Sequence, residues 1–273
     1  MIIEGIKITH PEKLIFPEKN LTKKDVVLYY DKISEYILPY LRDRPLTLRR
    51  FPEGIDKDGF YQKNIPDYFP DFIHRIEVST QEGKNIQTYC NTKKELIYLV
   101  NQNTISFHPW LSTIDHINQP DKIVIDLDPS RQDFEEVKAA AKIIHTYLTD
   151  QDIQSQVMTT GKNGLHIWFS VSPDQEFDQR REKLKNQVKL LVDQNPSLFT
   201  MELKKSERKN KIFIDYLRNA YGQTSVSPYS LRSHEEAGVA TPIEWTELNT
   251  ISSSTQYNYS NILRRLGQKT SIQ

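Results

Sequence analysis

The chain of 273 residues holds a single cysteine, Cys90. One thiol excludes an internal disulfide and any Cys-x-x-Cys zinc knuckle. No apolar run approaches the roughly 20 residues needed to span a bilayer. The opening Met-Ile-Ile-Glu-Gly-Ile-Lys lacks the basic and apolar regions of a secretory signal. These absences lead us to expect a cytoplasmic protein with no membrane partner. An excess of one charge is also missing. The 36 Lys and Arg cancel the 36 Asp and Glu, so a polyanion site has to come from local patches. Glycine is scarce at nine residues, yet two stand in Gly161-Lys162-Asn163-Gly164, which marks a turn with special backbone geometry. The length, with 37% hydrophobic residues and a mean hydropathy of -0.62, allows one large domain or two packed modules.

What is present is richest in Ile123-Val124-Ile125-Asp126-Leu127-Asp128-Pro129. The β-branched run reads as a buried strand, and a strand alternates faces with period two. Asp126 and Asp128 therefore share a face, with Cα atoms about 6.5 Å apart. Two like charges at the end of an apolar strand repel and are costly to desolvate, and a divalent cation offsets both costs. Helix capping by Asp128 or Ser130 is the plainer alternative, but it leaves Asp126 unexplained.

A third acid, Asp215, lies in Lys211-Ile212-Phe213-Ile214-Asp215-Tyr216-Leu217-Arg218-Asn219. Pairing with Arg218 explains it without a metal. Joined to Asp126 and Asp128, it completes the carboxylate triad that two-metal phosphoryl transfer requires. The turn Thr159-Thr160-Gly161-Lys162-Asn163-Gly164-Leu165-His166 is an ordinary hairpin on one reading. On the other, Thr160, Lys162 and His166 offer groups to phosphate. Lys63, Arg218 and Arg232 are cations suited to a triphosphate, and His108 adds a ring nitrogen. Phe60 and Tyr61 beside Lys63 suggest a base-stacking platform, with core packing as the alternative. Lys204, Lys205, Arg208, Lys209 and Lys211 are either a solvated loop or a contact to a phosphate backbone.

The whole chain over 1–273 is expected to be a single domain, with an N-terminal arm over 1–20, an N-terminal module over 21–115, a module over 116–250 that carries Asp126, Asp128 and Asp215, and a tail over 251–273. Thr22 with Asp25 predicts a helix start, and Pro39 predicts its end. Strands are expected near 45–51, 72–79, 85–91, 105–107, 122–127, 154–160, 165–171 and 211–216. Helices are expected near 92–101, 133–149, 176–195 and 258–266. Strand, helix, hairpin, helix, strand predicts an α+β module with helices on one face of a largely antiparallel sheet.

Seven segments in order carry a resemblance: Asp-Arg-Pro-Leu-Thr-Leu at 43–48, Gly-Phe-Tyr-Gln-Lys-Asn at 59–64, His-Pro-Trp at 108–110, Asp-Leu-Asp-Pro at 126–129, Thr-Gly-Lys-Asn-Gly-Leu-His at 160–166, Asp-Tyr-Leu-Arg-Asn at 215–219 and Pro-Tyr-Ser-Leu-Arg at 228–232. Together they resemble the polymerase domain of bacterial DNA ligase D, within the archaeo-eukaryotic primase superfamily. The resemblance runs from His10 to about residue 245. It implies a primase-polymerase fold, with mostly antiparallel sheets flanked by helices and two modules packed around a central cleft. It also implies template-directed nucleotide addition at DNA ends during non-homologous end joining, often with ribonucleotides and manganese or magnesium.

On the same resemblance, Asp126, Asp128 and Asp215 bind two metals. Lys63, Thr160, Lys162, His166 and Arg232 hold the incoming NTP or dNTP, with His108 beside the sugar and Arg218 supporting the site. Phe60 and Tyr61 stack near the template, and Lys13 and Lys23 take the 5′-phosphate of the downstream strand. Ku and a DNA ligase are the implied protein partners. Thr160 stands where the family usually has serine, and Tyr61 where phenylalanine is common. A primase that starts chains de novo and a non-catalytic DNA-end-bridging scaffold are the rival functions. A metal-dependent nuclease is a third, less suited to Lys63 and Arg232.

Overall fold

The computed structural model describes residues 1–80, 83–131 and 133–269; positions 270–273 of the tail lie outside this set. The arm forms two short ribbons, β1 (Ile2–Ile3) with β2 (Ile6–Lys7) and β3 (Leu14–Phe16) with β4 (Leu21–Thr22). Helix α1 (Lys23–Leu41) follows, opened by a reciprocal cap between Thr22 and Asp25. It runs two residues past Pro39 rather than stopping there. Proline in the last turn forfeits only one hydrogen bond, and the Arg42 amide still reaches the Leu38 carbonyl.

The first sheet is built from β5 (Leu46–Arg50), β6 (Phe60–Gln62), β7 (Arg75–Thr80), β8 (Gly83–Thr88) and, after helix α2 (Lys93–Asn101), β9 (Thr104–Pro109). β9 pairs along β5, so Thr47 lies opposite His108 and Leu48 opposite Phe107. The period of two sorts these residues. Leu46, Leu48 and Phe107 enter the core against Tyr30, Ile33 and Ile37 of α1. Thr47, Arg49 and His108 point the other way.

The second sheet is built from β10 (Lys122–Pro129), β11 (Gln156–Thr159), β12 (Leu165–Ser170), β13 (Phe199–Thr200), β14 (Ile212–Asp215) and β15 (Thr241–Ile243), with helices α3 (Phe134–Thr149) and α4 (Phe177–Gln194) between strands. The spatial order is β13-β14-β10-β12-β11-β15, antiparallel except for the β13–β14 pair. Ile123, Ile125, Leu127, Leu165, Ile167 and Ile214 form one face. They pack on Val137, Ala141, Ile144 and Leu148 of α3 and on Leu184, Val188 and Leu191 of α4. Each large side chain buried there contributes about 1.5–3 kcal/mol. The opposite face carries Val124, Asp126, Asp128, His166 and Trp168.

The helices thus lie outside both sheets, and the two free faces meet over a cleft. Below it, Leu111, Val124, Met158, Trp168 and Val226 form a small third core between the sheets. The tail crosses back: helix α5 (Ile262–Lys269) buries Ile262 and Leu266 in the first core. Among the described residues, no helix is long and apolar enough to cross a membrane.

Candidate active site

Strand register assembles the carboxylates. On β10, Asp126 is the cross-strand partner of Asp215 on β14 and of His166 on β12. Directly opposed residues project to the same face, and Asp128 follows Asp126 by two. The three acids expected from the sequence therefore share one face of the second sheet. The turn after β14 is pinned by a residue that patterning did not single out. The Asn219 side chain accepts from the Val124 amide at 2.9 Å and donates to the Val124 carbonyl at 2.7 Å. It mimics one more residue of β14 and so fixes Arg218 beside the acids.

Both arginines near the triad are engaged. Arg218 Nε donates to Asp126 Oδ2 at 2.6 Å and stands 3.3 Å from Asp215 Oδ2. Arg208 Nη1 donates to Asp128 Oδ2 at 2.8 Å, while its guanidinium covers the Phe213 ring at 4.3 Å. Of the basic run, Arg208 alone is buried and aimed at the acids; Lys204 pairs with Glu207 at the surface. Neither loop nor phosphate contact describes Arg208, since only the fold brings it onto Asp128.

The electrostatics separate the acids. Burial works to raise the Asp126 carboxyl, but His166, with Nε2 3.4 Å away, and then Arg218 hold it well below the usual carboxylate range. At Asp215, burial and the neighbouring Asp126 charge outweigh Arg218, and the carboxyl is raised. Burial, reinforced by Arg232 and Arg218, pushes His108 well below the ordinary histidine range. His108 is therefore neutral near pH 7 and keeps one ring nitrogen as an acceptor.

A cleft of about 520 Å³ lies between the sheets. Thr47, Tyr61, Lys63 and His108 line one wall, and Asp126, Asp128, His166 and the 160–164 turn line the other, with Arg218 and Arg232 between. Lys63 and Lys162 have no hydrogen-bond or ion-pair partner among the described residues. Arg232 is placed by a segment that clips onto β9: Ser230 Oγ accepts from the Phe107 amide, and Ser106 Oγ donates to the Leu231 carbonyl. Its Nη1 donates to the Thr160 carbonyl at 2.6 Å.

This geometry bears on two expectations. Thr160 is turned into the loop, where its hydroxyl accepts from the Gly164 amide at 3.1 Å and meets Ser254 Oγ at 3.2 Å. Ser254 donates its own proton to the Gly164 carbonyl, so Thr160 must donate to Ser254. Its hydroxyl is thus engaged within the turn as the structure stands. Phe60 and Tyr61 form no common platform, because neighbours on β6 face opposite ways. Tyr61 faces the cleft, edge-on to His108 with centroids 5.6 Å apart, whereas Phe60 lies under the Arg50 guanidinium at 5.4 Å.

Arg50 belongs to a second cluster. The Lys23 amide donates to the Lys13 carbonyl at 2.7 Å, which brings both lysines to the start of α1. Lys23 Nζ donates to Thr9 Oγ1, and Lys13 Nζ pairs with the exposed Glu53. Burial first, then the charges of Lys13 and Arg50, push Lys23 down to about 8.

The donor set Asp126, Asp128 and Asp215 consists of hard carboxylate oxygens, as magnesium and manganese prefer. Among the described residues, no three such groups are drawn together closely enough to hold an ion as they stand. Arg218 occupies the place of a cation, bridging Asp126 to Asp215. The acids therefore fit a metal in chemistry and in shared face, with arginine as the stand-in.

A family model described as the LigD primase-polymerase domain matches residues 22–272. The bifunctional non-homologous end joining protein LigD of Bacillus subtilis is 32% identical over 96% of this chain and 42% of its own length. The multifunctional LigD of Pseudomonas aeruginosa is 26% identical over 97% of this chain and 32% of its own. This chain thus spans less than half the length of these curated relatives. A solved structure, the polymerase domain from Mycobacterium tuberculosis ligase D in complex with DNA, superposes with a TM-score of 0.89. It covers 96% of this chain and 94% of that one at 24% identity, which establishes the same α+β primase-polymerase fold. With two opposed sheets, a carboxylate face and a match over nearly its whole length, the chain belongs to the family of LigD primase-polymerase domains.

Proposed function

We propose that the protein is a template-directed nucleotidyltransferase that extends 3′ ends and fills gaps at DNA breaks. One observation carries this reading: three carboxylates share a sheet face, and the free cations Lys63 and Lys162 line the same cleft with Arg232. A carboxylate set alone suits many reactions. Cations in the same cleft add the means to hold a polyphosphate substrate.

In this reading Lys63, Lys162 and Arg232 hold the triphosphate of an NTP or dNTP. Neutral His108 accepts a hydrogen bond from the sugar. Asp126, Asp128 and Asp215 would hold one or two divalent cations, manganese or magnesium, which supply Lewis-acid chemistry when bound. The primer 3′-hydroxyl attacks the α-phosphate, and pyrophosphate departs. The cleft cations bind the leaving group from its first contact with the protein. Lys13 and Lys23, with Arg50 beside them, take the 5′-phosphate across a gap. The names of the curated relatives support end joining as the process, and this reading takes Ku and a DNA ligase as the partners.

The test is primer extension on a gapped, 5′-phosphorylated duplex, comparing NTP with dNTP and manganese with magnesium. Asp126→Asn should reduce extension at least a thousandfold while the protein stays folded by circular dichroism. Full extension by that variant overturns the triad assignment. Synthesis on an unprimed strand at a comparable rate would make the enzyme a primase. No extension by the wild type under any condition would leave the end-bridging scaffold.

A further inference from the structure

Tyr61 occupies an unusual chemical position in the cleft. It is 59% exposed, and its hydroxyl has no hydrogen-bond partner among the described residues. The ring itself is held. The Arg49 guanidinium lies over it at 4.6 Å from the centroid, and His108 meets it at an interplanar angle of 79°. Arg49 is held in turn, since its Nη1 donates to the Gly59 carbonyl at 2.7 Å. The phenol is thus aimed by packing rather than by a bond of its own.

The charged groups around that phenol are mostly donors. Besides Arg49, which lies over the ring, Arg232 and Arg218 share its cleft. Burial lowers Arg232 from the usual arginine range. A hydroxyl among guanidinia has little to donate to. An anion bound by those guanidinia would bring an acceptor within its reach.

We propose that the Tyr61 hydroxyl donates a hydrogen bond to a phosphate oxygen of the incoming triphosphate, making Tyr61 a residue that binds substrate through its polar end rather than a stacking aromatic alone. The inference rests on the triphosphate reading of the cleft. It adds one neutral donor to the charged set of Lys63, Lys162 and Arg232.

Tyr61→Phe is the deciding variant, because it keeps the ring between Arg49 and His108. Binding of ATP and of inorganic tripolyphosphate is measured by calorimetry with magnesium present, and the KM and kcat of primer extension are measured alongside. We expect Tyr61→Phe to weaken both ligands by about threefold to tenfold, the size of one exposed hydrogen bond to a charged group. KM should rise by the same factor with kcat unchanged. Tripolyphosphate has neither base nor sugar, so its loss cannot come from stacking. Tyr61→Leu should lose no more tripolyphosphate affinity than Tyr61→Phe, though it should lose more for ATP. Wild-type binding matched by Tyr61→Phe overturns the hydrogen bond and leaves the cleft reading intact. Absence of tripolyphosphate and ATP binding by the wild type overturns both.

Discussion

Arg218 Nε donates to Asp126 Oδ2 across 2.6 Å, tying the turn after β14 to the strand that carries two of the three acids. The same nitrogen stands 3.3 Å from Asp215 Oδ2. One guanidinium thus offsets the repulsion of two carboxylates that the sheet register forces together. Any cation entering between them has to replace it. Arg218→Ala should therefore tighten manganese binding to the free protein by about threefold to tenfold, as expected for loss of a partly exposed competing ion pair. Electron paramagnetic resonance of free manganese measures this without substrate. Unchanged affinity would show that Arg218 and the metal do not compete.

Asn219 offers a different test of the same turn. Its side chain satisfies both backbone groups of Val124, and all these atoms are buried. Asn219→Ala strands an amide and a carbonyl at roughly 1–3 kcal/mol each, so we expect a loss of about 2–6 kcal/mol in urea denaturation. Asn219→Asp should cost at least as much, because a carboxylate oxygen would face the Val124 carbonyl. Extension activity should fall beyond what stability explains, since Arg218 precedes Asn219 directly.

Much of this was legible in the sequence, and the reasons mark the boundary. Period two in Ile123–Pro129 put Asp126 and Asp128 on one face. The same rule separated Ile214 from Asp215. That Asp126 lies opposite Asp215 is a matter of register, which pairing across the sheet decides and which no single segment contains. Tyr61 and Phe60 were misjoined because Phe60–Gln62 sits among turn residues and did not read as a strand. Once it is a strand, their opposite facing follows. Arg208 looked like any member of its basic run, since the Phe213 ring that receives it is near only in the fold. Thr160 was read for its hydroxyl, but Ser254, 94 positions away, claims that proton.

The glycines of the 160–164 turn carry their own prediction. A Cβ on Gly164 would stand 2.3 Å from the Leu127 carbonyl oxygen, between the two β10 acids. Backbone cannot swing aside as a flexible side chain can, so Gly164→Ala must push β10 and the turn apart. We expect a loss of about 2–4 kcal/mol, with extension reduced more steeply because Asp126 and Asp128 move with the strand. Gly161→Ala adds strain at a φ of 68° and should behave similarly. Denaturant midpoints of the two variants, set beside Gly267→Ala in helix α5, where a Cβ meets nothing within 4 Å and no loss is expected, measure the effect.

On the proposed reading, Lys23 should make recognition of the 5′-phosphate depend on pH. Burial, Lys13 and Arg50 lower it to about 8, below the 10.5 of a free lysine. Between those values the unfolded chain binds the proton and the folded chain does not, so the Lys23 contribution to stability rises with pH in that window. Phosphate binding has the opposite sign, because it needs the protonated amine. Preference for a phosphorylated over an unphosphorylated gap should be complete near pH 6.5 and fade as pH passes through 8 to 9, with proton uptake on binding. Anisotropy titrations with the two duplexes at several pH values measure it. Lys23→Arg should retain the preference at pH 9, since a guanidinium stays charged there. A preference that fades equally in Lys23→Arg would assign the titration to another group and leave Lys23 outside the phosphate site.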